Sequence, residues 1–381
     1  MTVIGISGSY GGLNAGDEAI LTCIVEQLNG AFPDAELVVF SRNPRHTTDH
    51  HGVDRGIPVR EVTGDQVVPE VDRLDLLLLG GGGILYDEEV HNYVREVELA
   101  HERGIPTVAY AVGVGPLRQQ EDRQKVRDAL NGMDAVTVRD VETKRVFEEV
   151  GVRREVVVTA DPAWLLTPVD LTEEVLQKEG VANVRPLVGI SVRERGGAAP
   201  SLERSAYHSM VAAAADFVVD RFSADVVFVP MERQDVTEAH RVMAEMAAPD
   251  RAHVVTGRYG PGELLGMMQH FHLAVGMRLH FLIFAALAGV PFLALPYASK
   301  VEGFLDALGL PAPSTLQQHP GPLLAAIDRL WDGRDESRRQ LSDRVPALQQ
   351  RARETASIVQ EVLESRAGAG AGAEKPLPGG D

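Results

Sequence analysis

The sequence predicts an α/β protein of two doubly wound domains, each a parallel sheet covered by helices on both faces, with the two domains facing each other across a cleft. Three observations carry this. Short apolar runs alternate with amphipathic stretches of helical length along most of the 381 residues, as expected when every strand is followed by a covering helix. The helical stretches often stop at a glycine that leads straight into the next apolar run, as at Gly104-Ile105-Pro106, Gly151-Val152 and Gly289-Val290-Pro291. The runs also fall into two series, separated by the mixed stretch 165–186 with Pro168 and Pro186.

The first series comprises strands at 3–7, 36–40, 74–79, 107–112, 135–138 and 156–159. It opens with the apolar Val3-Ile4-Gly5-Ile6 and includes the unbroken Leu76-Leu77-Leu78-Leu79. The second comprises 187–192, 225–229, 253–256, 273–275 and 292–295. Pro106 and Pro291 stand at strand entrances, where a missing amide is tolerated. Residues 1–170 are thus expected to form one domain and residues 171–335 the other. A final helical pattern at 336–365, interrupted at Pro346, has apolar positions Leu341, Val345, Leu348, Ile358, Val362 and Leu363 and is expected to pack back onto the body. Residues 366–381, rich in Ala and Gly and then Pro, bury too little surface to offset their ordering entropy and are expected to be a disordered tail.

Composition narrows the function. Lys and Arg number 37 against 55 Asp and Glu, a formal charge of −18, which disfavours nucleic acid and anionic lipid as long-range partners. A bound phosphate must then be held by a local cluster. Cys23 is the one cysteine, so an intramolecular disulfide and a Cys-rich zinc site are excluded and a core thiol is expected. The chain starts directly with a strand and has no apolar run of spanning length, so a cytoplasmic protein is expected.

In doubly wound sheets ligands bind beyond the carboxyl ends of the strands, so the turns there matter most. The first, Ser7 to Glu18, has four glycines but neither of the standard phosphate-loop spacings. Its Asp17 and Glu18 either complement the dipole of the following helix or take a proton from a sugar hydroxyl; the residues leave both open. The second, Gly80-Gly81-Gly82-Gly83, implies a sharp strand-to-helix crossing or a backbone close to a ligand. The third is Gly113-Val114-Gly115-Pro116. Asp87, Glu88 and Glu89 read as capping charges at a helix start. His46, His50 and His51 sit in a polar loop with no partner at ligand spacing, and no metal site is expected.

The cations recur at the same sheet edge. Arg139 follows Val136-Thr137-Val138, Arg193 follows Ile190-Ser191-Val192, Arg278 and His280 follow Leu273-Ala274-Val275, and Lys300 begins the helix after Phe292 to Pro296. Against the net charge, their coincidence points to an anion site in which guanidinium groups and helix ends grip carboxylate or phosphate.

Gly8-Ser9-Tyr10-Gly11 with Asn14-Ala15-Gly16-Asp17-Glu18, the four-glycine turn, Val138-Arg139-Asp140, Asp161-Pro162-Ala163, Met277-Arg278-Leu279-His280 and Tyr297 with Lys300-Val301-Glu302-Gly303-Phe304 occur in order up to about residue 310. Jointly they resemble the polysaccharide pyruvyl transferase family, and within it the bacterial enzymes that pyruvylate secondary cell-wall polysaccharide. The resemblance implies two Rossmann-like domains similar to GT-B glycosyltransferases, the first on the acceptor side and the second on the main donor side. It implies transfer of pyruvate from phosphoenolpyruvate to two hydroxyls of one sugar, forming a cyclic ketal and releasing phosphate.

By the same resemblance, Arg139, Arg278, His280 and Lys300 contact phosphoenolpyruvate, with Arg193 a further donor-side residue. Asn14, Gly16, Asp17 and Glu18 meet the acceptor, joined by Gly81 and Gly82 of the glycine turn. His280 is the expected acid and Asp17 or Glu18 the expected base. The chemistry requires no cofactor or metal. The acceptor it suggests, a glycan on a lipid diphosphate, would bring the enzyme to the inner membrane face through its substrate alone. A GT-B glycosyltransferase taking a nucleotide sugar, with Glu302 on the ribose, is the alternative. A sugar-binding protein that has lost the chemistry is the third reading.

Overall fold

The computed structural model describes residues 1–171, 173–182, 184–194, 204–295, 299–311 and 319–371. The chain divides into two compact units. The first takes Met1–Gly11, Ile24–Asp161 and the chain from Arg351 on; the second takes Gly12–Cys23 and Pro162–Gln350.

The first unit holds strands β1 (Val3–Ser7), β2 (Glu36–Ser41), β3 (Arg55–Pro58), β4 (Leu76–Leu79), β5 (Gly82–Leu85), β6 (Thr107–Val114), β7 (Ala135–Val138) and β8 (Val156–Val158). They pair in the order β3-β2-β1-β4-β6-β7-β8, with β5 also paired to β6, and every pairing is parallel. The four leucines of β4 are fully buried because helices cover both faces of the sheet.

The second unit holds β9 (Leu187–Ser191), β10 (Asp225–Phe228), β11 (Ala252–Val254), β12 (Phe271–Gly276) and β13 (Phe292–Ala294). Their order is β11-β10-β9-β12-β13, again all parallel. Val188, Ile190, Val226, Phe228, Leu273 and Val275 of its three central strands form the core.

Strand order locates the binding edge. In each unit the direction of winding reverses once, between β1 and β4 and between β9 and β12. The crevice beyond the carboxyl ends of such a strand pair is where doubly wound sheets take ligands. Gly8 and Gly80 directly follow β1 and β4 in the first unit, and Arg193 and Arg278 lie two residues past β9 and β12 in the second.

Several local expectations change. Gly80 to Gly83 do not turn into a helix: Gly82 and Gly83 begin β5, and Gly82 takes φ 105°, open only to glycine without strain. The helix after β5 is Val90–Glu102, and the Glu89 side chain at its start accepts no capping amide. Asp87 instead accepts the amides of Arg118 and Gln119 at 2.8 to 3.0 Å, and the Glu88 amide donates to Asp122.

The stretch around His46 to His51 is a helix, Pro44–His51. Asn43 caps it by accepting the His46 amide, with Pro44 at the first position. The last helix, Arg334–Ala371, runs through Pro346 without interruption. Leu341, Val345 and Leu348 around the proline are buried, and at about 1.5–3 kcal/mol for each such side chain they outweigh the roughly 3 kcal/mol cost of an interior proline. Helix therefore occupies 366–371 of the segment read as a tail, and 372–381 lie outside the described residues. In the first unit Arg351 and Thr355 of this helix bond Thr159 beyond β8. No helix among the described residues is long and apolar enough to cross a membrane.

Candidate functional site

In the second unit the site grows from the β12 carboxyl end. Arg278 occupies the cap position of the apolar, buried helix Leu279–Leu287, which places His280 in its first turn. The start of helix Ala15–Ala31 lies against the same edge: the Ala15 amide donates to the Met231 carbonyl at 2.7 Å. The Asn14 carboxamide works in two directions. Its Oδ1 accepts the Gly16 amide at 3.0 Å, and its Nδ2 donates to Glu232 at 3.1 Å. Gly16 abuts His280 so closely that a Cβ there would lie 2.8 Å from Cε1 and nearer still to Nδ1. The candidate acid and the helix start bearing Asp17 and Glu18 are therefore neighbours.

Asp17 and Glu18 differ in environment. Glu18 is buried, at 4% exposure, and its carboxylate accepts the Leu13 amide at 3.2 Å, holding that residue at φ 59°. Asp17 is half-buried.

Arg278 is held by carboxylates. Its Nε donates to Asp235 at 3.0 Å, its Nη2 donates to the other Asp235 oxygen at 2.6 Å, and Nη2 also pairs with Glu232. Two of its nitrogens are thus engaged, and Nη1 has no protein hydrogen bond among the described residues. Arg278 offers a ligand one nitrogen rather than a bidentate fork. Burial raises the Glu232 carboxyl, but Arg278, the Asn14 amide and Arg193 outweigh burial and leave it below its ordinary value. Burial holds Asp235 above its ordinary value even with Arg278 beside it. Arg193, two residues past β9, reaches this cluster through its field on Glu232, and its backbone hydrogen-bonds the buried Tyr207 phenol. The Ser191 hydroxyl, at the β9 end, is buried without a hydrogen-bond partner among the described residues.

Lys300 falls in the first turn of helix Ser299–Ala307; its side chain and Tyr297 lie outside the described residues.

In the first unit Arg139 follows β7 directly and is buried, at 8% exposure. Its Nη1 donates to Asp161 at 2.9 Å, and Asp140 lies 3.5 Å from Nε. Glycines make room for it: a Cβ at Gly113 would lie 2.6 Å from Nε, and one at Gly83 3.2 Å from Nη2. At the β1/β4 reversal the ring of Tyr10 fills the space over Gly8 and Gly80, where a Cβ would lie within 2.6 Å and 2.9 Å of ring carbons. Gly81 and Gly82 are buried in the same turn.

Sequence reasoning missed Glu232 and Asp235. They open helix Arg233–Ala244 and form a reciprocal cap there, the role acidic residues at a helix start commonly have. Their second role, neutralising Arg278, carries no sequence spacing that could announce it.

The chain is 23% identical over 249 residues to the amylovoran biosynthesis protein AmsJ of Erwinia amylovora, covering 61% of this chain and 60% of that protein. Among solved structures it is similar to the UDP-GlcNAc 2-epimerase of Neisseria meningitidis bound to UDP-GlcNAc (9% identity, 96% and 100% of the two chains, TM-score 0.63). It is also similar to a putative UDP-N-acetylglucosamine 2-epimerase of Listeria monocytogenes (13%, 99% of each chain, TM-score 0.68). At such identities these likenesses speak of fold alone, which is of the GT-B type. The sequence signature of polysaccharide pyruvyl transferases matches residues 14–299, a span that takes in Asn14, Gly16, Arg139, Arg278 and His280. The chain therefore belongs to the polysaccharide pyruvyl transferase family.

Proposed function

We propose that the protein transfers pyruvate from phosphoenolpyruvate to two hydroxyls of one sugar in a cell-wall or exopolysaccharide precursor, forming a cyclic ketal and releasing phosphate. The observation that supports this reading is the apposition of His280 and Gly16, which puts an imidazole next to the helix start bearing Asp17. His280 gives a proton to the methylene carbon, and the adjacent carbon becomes an oxocarbenium-like electrophile. One sugar hydroxyl adds to that carbon as its proton passes to Asp17. The second hydroxyl then forms the other carbon–oxygen bond while the bond to phosphate breaks, and its proton leaves with the phosphate.

Arg278 Nη1, Arg193 and Lys300 are assigned to the donor's carboxylate and phosphate, and Arg139 is assigned to the donor by the family resemblance. Glu232 and Asp235 fix the Arg278 guanidinium in place, so less ordering entropy is lost when it meets a ligand; they also offset its charge, so attraction for a dianion falls to the other cations. Asn14, Gly81 and Gly82 are assigned to the acceptor. No cofactor or metal enters these steps. The enzyme works in the cytoplasm and meets the membrane only when its acceptor is lipid-linked.

The test is phosphate release from phosphoenolpyruvate in the presence of glycan acceptors, run beside the same assay with nucleotide sugars. Phosphate release that depends on acceptor, and falls about 10²- to 10⁴-fold in His280→Ala, supports the reading. Turnover of a nucleotide sugar in its place would establish the glycosyltransferase alternative.

A further inference from the structure

One arginine of the first unit is oriented by side-chain hydroxyls alone. Arg55, Arg95, Arg103 and Arg139 each pair with a carboxylate. Arg42 does not: its Nη2 donates to the Tyr93 hydroxyl at 3.2 Å and to Ser9 Oγ at 3.4 Å, and no carboxylate lies within ion-pair distance among the described residues. Neutral hydroxyls orient a guanidinium without cancelling its charge. In a chain of net charge −18, an exposed arginine fixed in this way keeps most of its donor fork for an anion.

Its surroundings suit a sugar. Tyr86, immediately after β5, is half-buried and tilts against Tyr93 with ring centroids 6.5 Å apart. Arg60 lies over the Tyr93 ring at 5.3 Å and pairs with Glu89 at 3.0 Å. Arg42 and Arg60 against Glu89 leave one net positive charge. Burial above all, with Tyr93 and Glu89 adding, raises the Tyr86 phenol far above its ordinary value, so its ring presents a neutral face. Ser9, Arg42 and Tyr86 follow β1, β2 and β5 at the carboxyl edge of the sheet, where its ligands are expected. Gly115 makes the place for Tyr86, since a Cβ there would lie 2.7 Å from the Tyr86 Cβ.

We propose that Ser9, Arg42, Tyr86 and Tyr93 form a subsite for a glycosyl phosphate, with the phosphoryl group on the Arg42 fork and the pyranose ring against Tyr86. This rests on the function proposed above only in naming the ligand as part of the acceptor. The shared chemistry is a sugar bearing a phosphoryl group at its anomeric carbon, whether the rest is a lipid or a nucleotide.

Calorimetric titration of the full chain tests it. The probes are glucose 1-phosphate, galactose 1-phosphate and N-acetylglucosamine 1-phosphate, with the free sugars, inorganic phosphate, UDP and UDP-glucose as comparisons. At least one sugar phosphate should bind about tenfold or more tightly than its free sugar, the size of one charge-assisted hydrogen bond. Arg42→Gln should abolish that advantage without changing the melting temperature. Tyr86→Ala should weaken the sugar phosphate severalfold and leave inorganic phosphate unaffected.

No binding by any sugar phosphate, or equal binding by Arg42→Gln, overturns the proposal. UDP binding as tightly as UDP-glucose, in an Arg42-dependent way, makes the ligand a nucleotide and overturns it too. Phosphoenolpyruvate titrated into the same two proteins separates the readings: Arg42→Gln retains that binding. If the wild type binds sugar phosphate but not phosphoenolpyruvate, the catalytic reading fails and the subsite stands.

Discussion

The His280 imidazole and the Gly16 α-carbon are in such close apposition that a methyl group on Gly16 would overlap the ring, at 2.8 Å from Cε1 and less from Nδ1 and Cγ. Gly16 lies in the first turn of helix Ala15–Ala31, where alanine would ordinarily be worth up to about 1 kcal/mol over glycine. The clash reverses that expectation. Gly16→Ala should lower both the melting temperature and turnover. In a His280→Ala background, where the ring is gone, the same change should leave the melting temperature level or higher. Thermal melts of the four proteins measure the coupling directly; additive effects would mean that the two residues do not meet.

Glu232 joins Asn14 to Arg278, so its loss should disturb the helix start and the cation together. Because its carboxyl titrates below the ordinary 4.5, its contribution to stability is fully present above pH 4.5 and lost as pH falls through its lower folded-state value. The melting temperatures of wild type and Glu232→Gln should differ near neutrality and converge in acid. Asp235→Ala is the harsher change, since it leaves the buried Arg278 short of its main partner, at a cost of about 3–5 kcal/mol. Chemical denaturation of both variants checks the order.

How much of this could be read in advance depended on the range of the interactions. Val136-Thr137-Val138 followed by Arg139 announces a buried strand and a charge at its end, because both are local, and the parallel sheets follow from such runs. Arg55-Gly56-Ile57-Pro58 carries no such signal: glycine and proline disfavour strand, and β3 forms there only because β2 offers it a free edge. Asn43-Pro44 did contain a helix start, but the polar residues after it read as loop. The meeting of Gly16 with His280, and of Glu232 and Asp235 with Arg278, spans long stretches of chain with no periodicity to register it. Residue types pointed to the cations; only the fold supplied their counter-charges.

Gly113 tests Arg139 without altering any charge. The glycine sits in β6 with an unexceptional backbone, so space alone forbids a side chain: a Cβ would lie 2.6 Å from Nε and 2.8 Å from Cζ of Arg139. Gly113→Ala should displace the guanidinium and weaken phosphoenolpyruvate binding about tenfold or more, the scale of one charged hydrogen bond. Asp161→Asn, by contrast, leaves a buried cation short of its partner and should cost about 3–5 kcal/mol of stability. Calorimetry on the first variant and denaturant unfolding on the second would separate position from charge. Wild-type affinity in Gly113→Ala would remove Arg139 from the donor site.

Glu179 supplies a control remote in role from the chemistry. Its carboxylate accepts the amides of Thr256 and Gly257 at 2.7 and 3.0 Å and the Tyr259 hydroxyl at 2.7 Å, tying the chain after β11 to the end of helix Glu173–Lys178. Burial raises this carboxyl, but the donors outweigh burial and leave it below 4.5; burial, then Glu179, pushes Tyr259 up to about 12. The Glu179 contribution is therefore present above pH 4.5 and disappears as pH falls through the lower folded-state value. Glu179→Gln should melt several degrees lower at neutral pH and approach the wild type in acid, while keeping its affinity for phosphoenolpyruvate. If the substitution instead impaired binding as much as Gly113→Ala does, loss of stability alone would account for both, and the case for Arg139 as a donor contact would have to rest on charge-preserving substitutions such as Arg139→Lys.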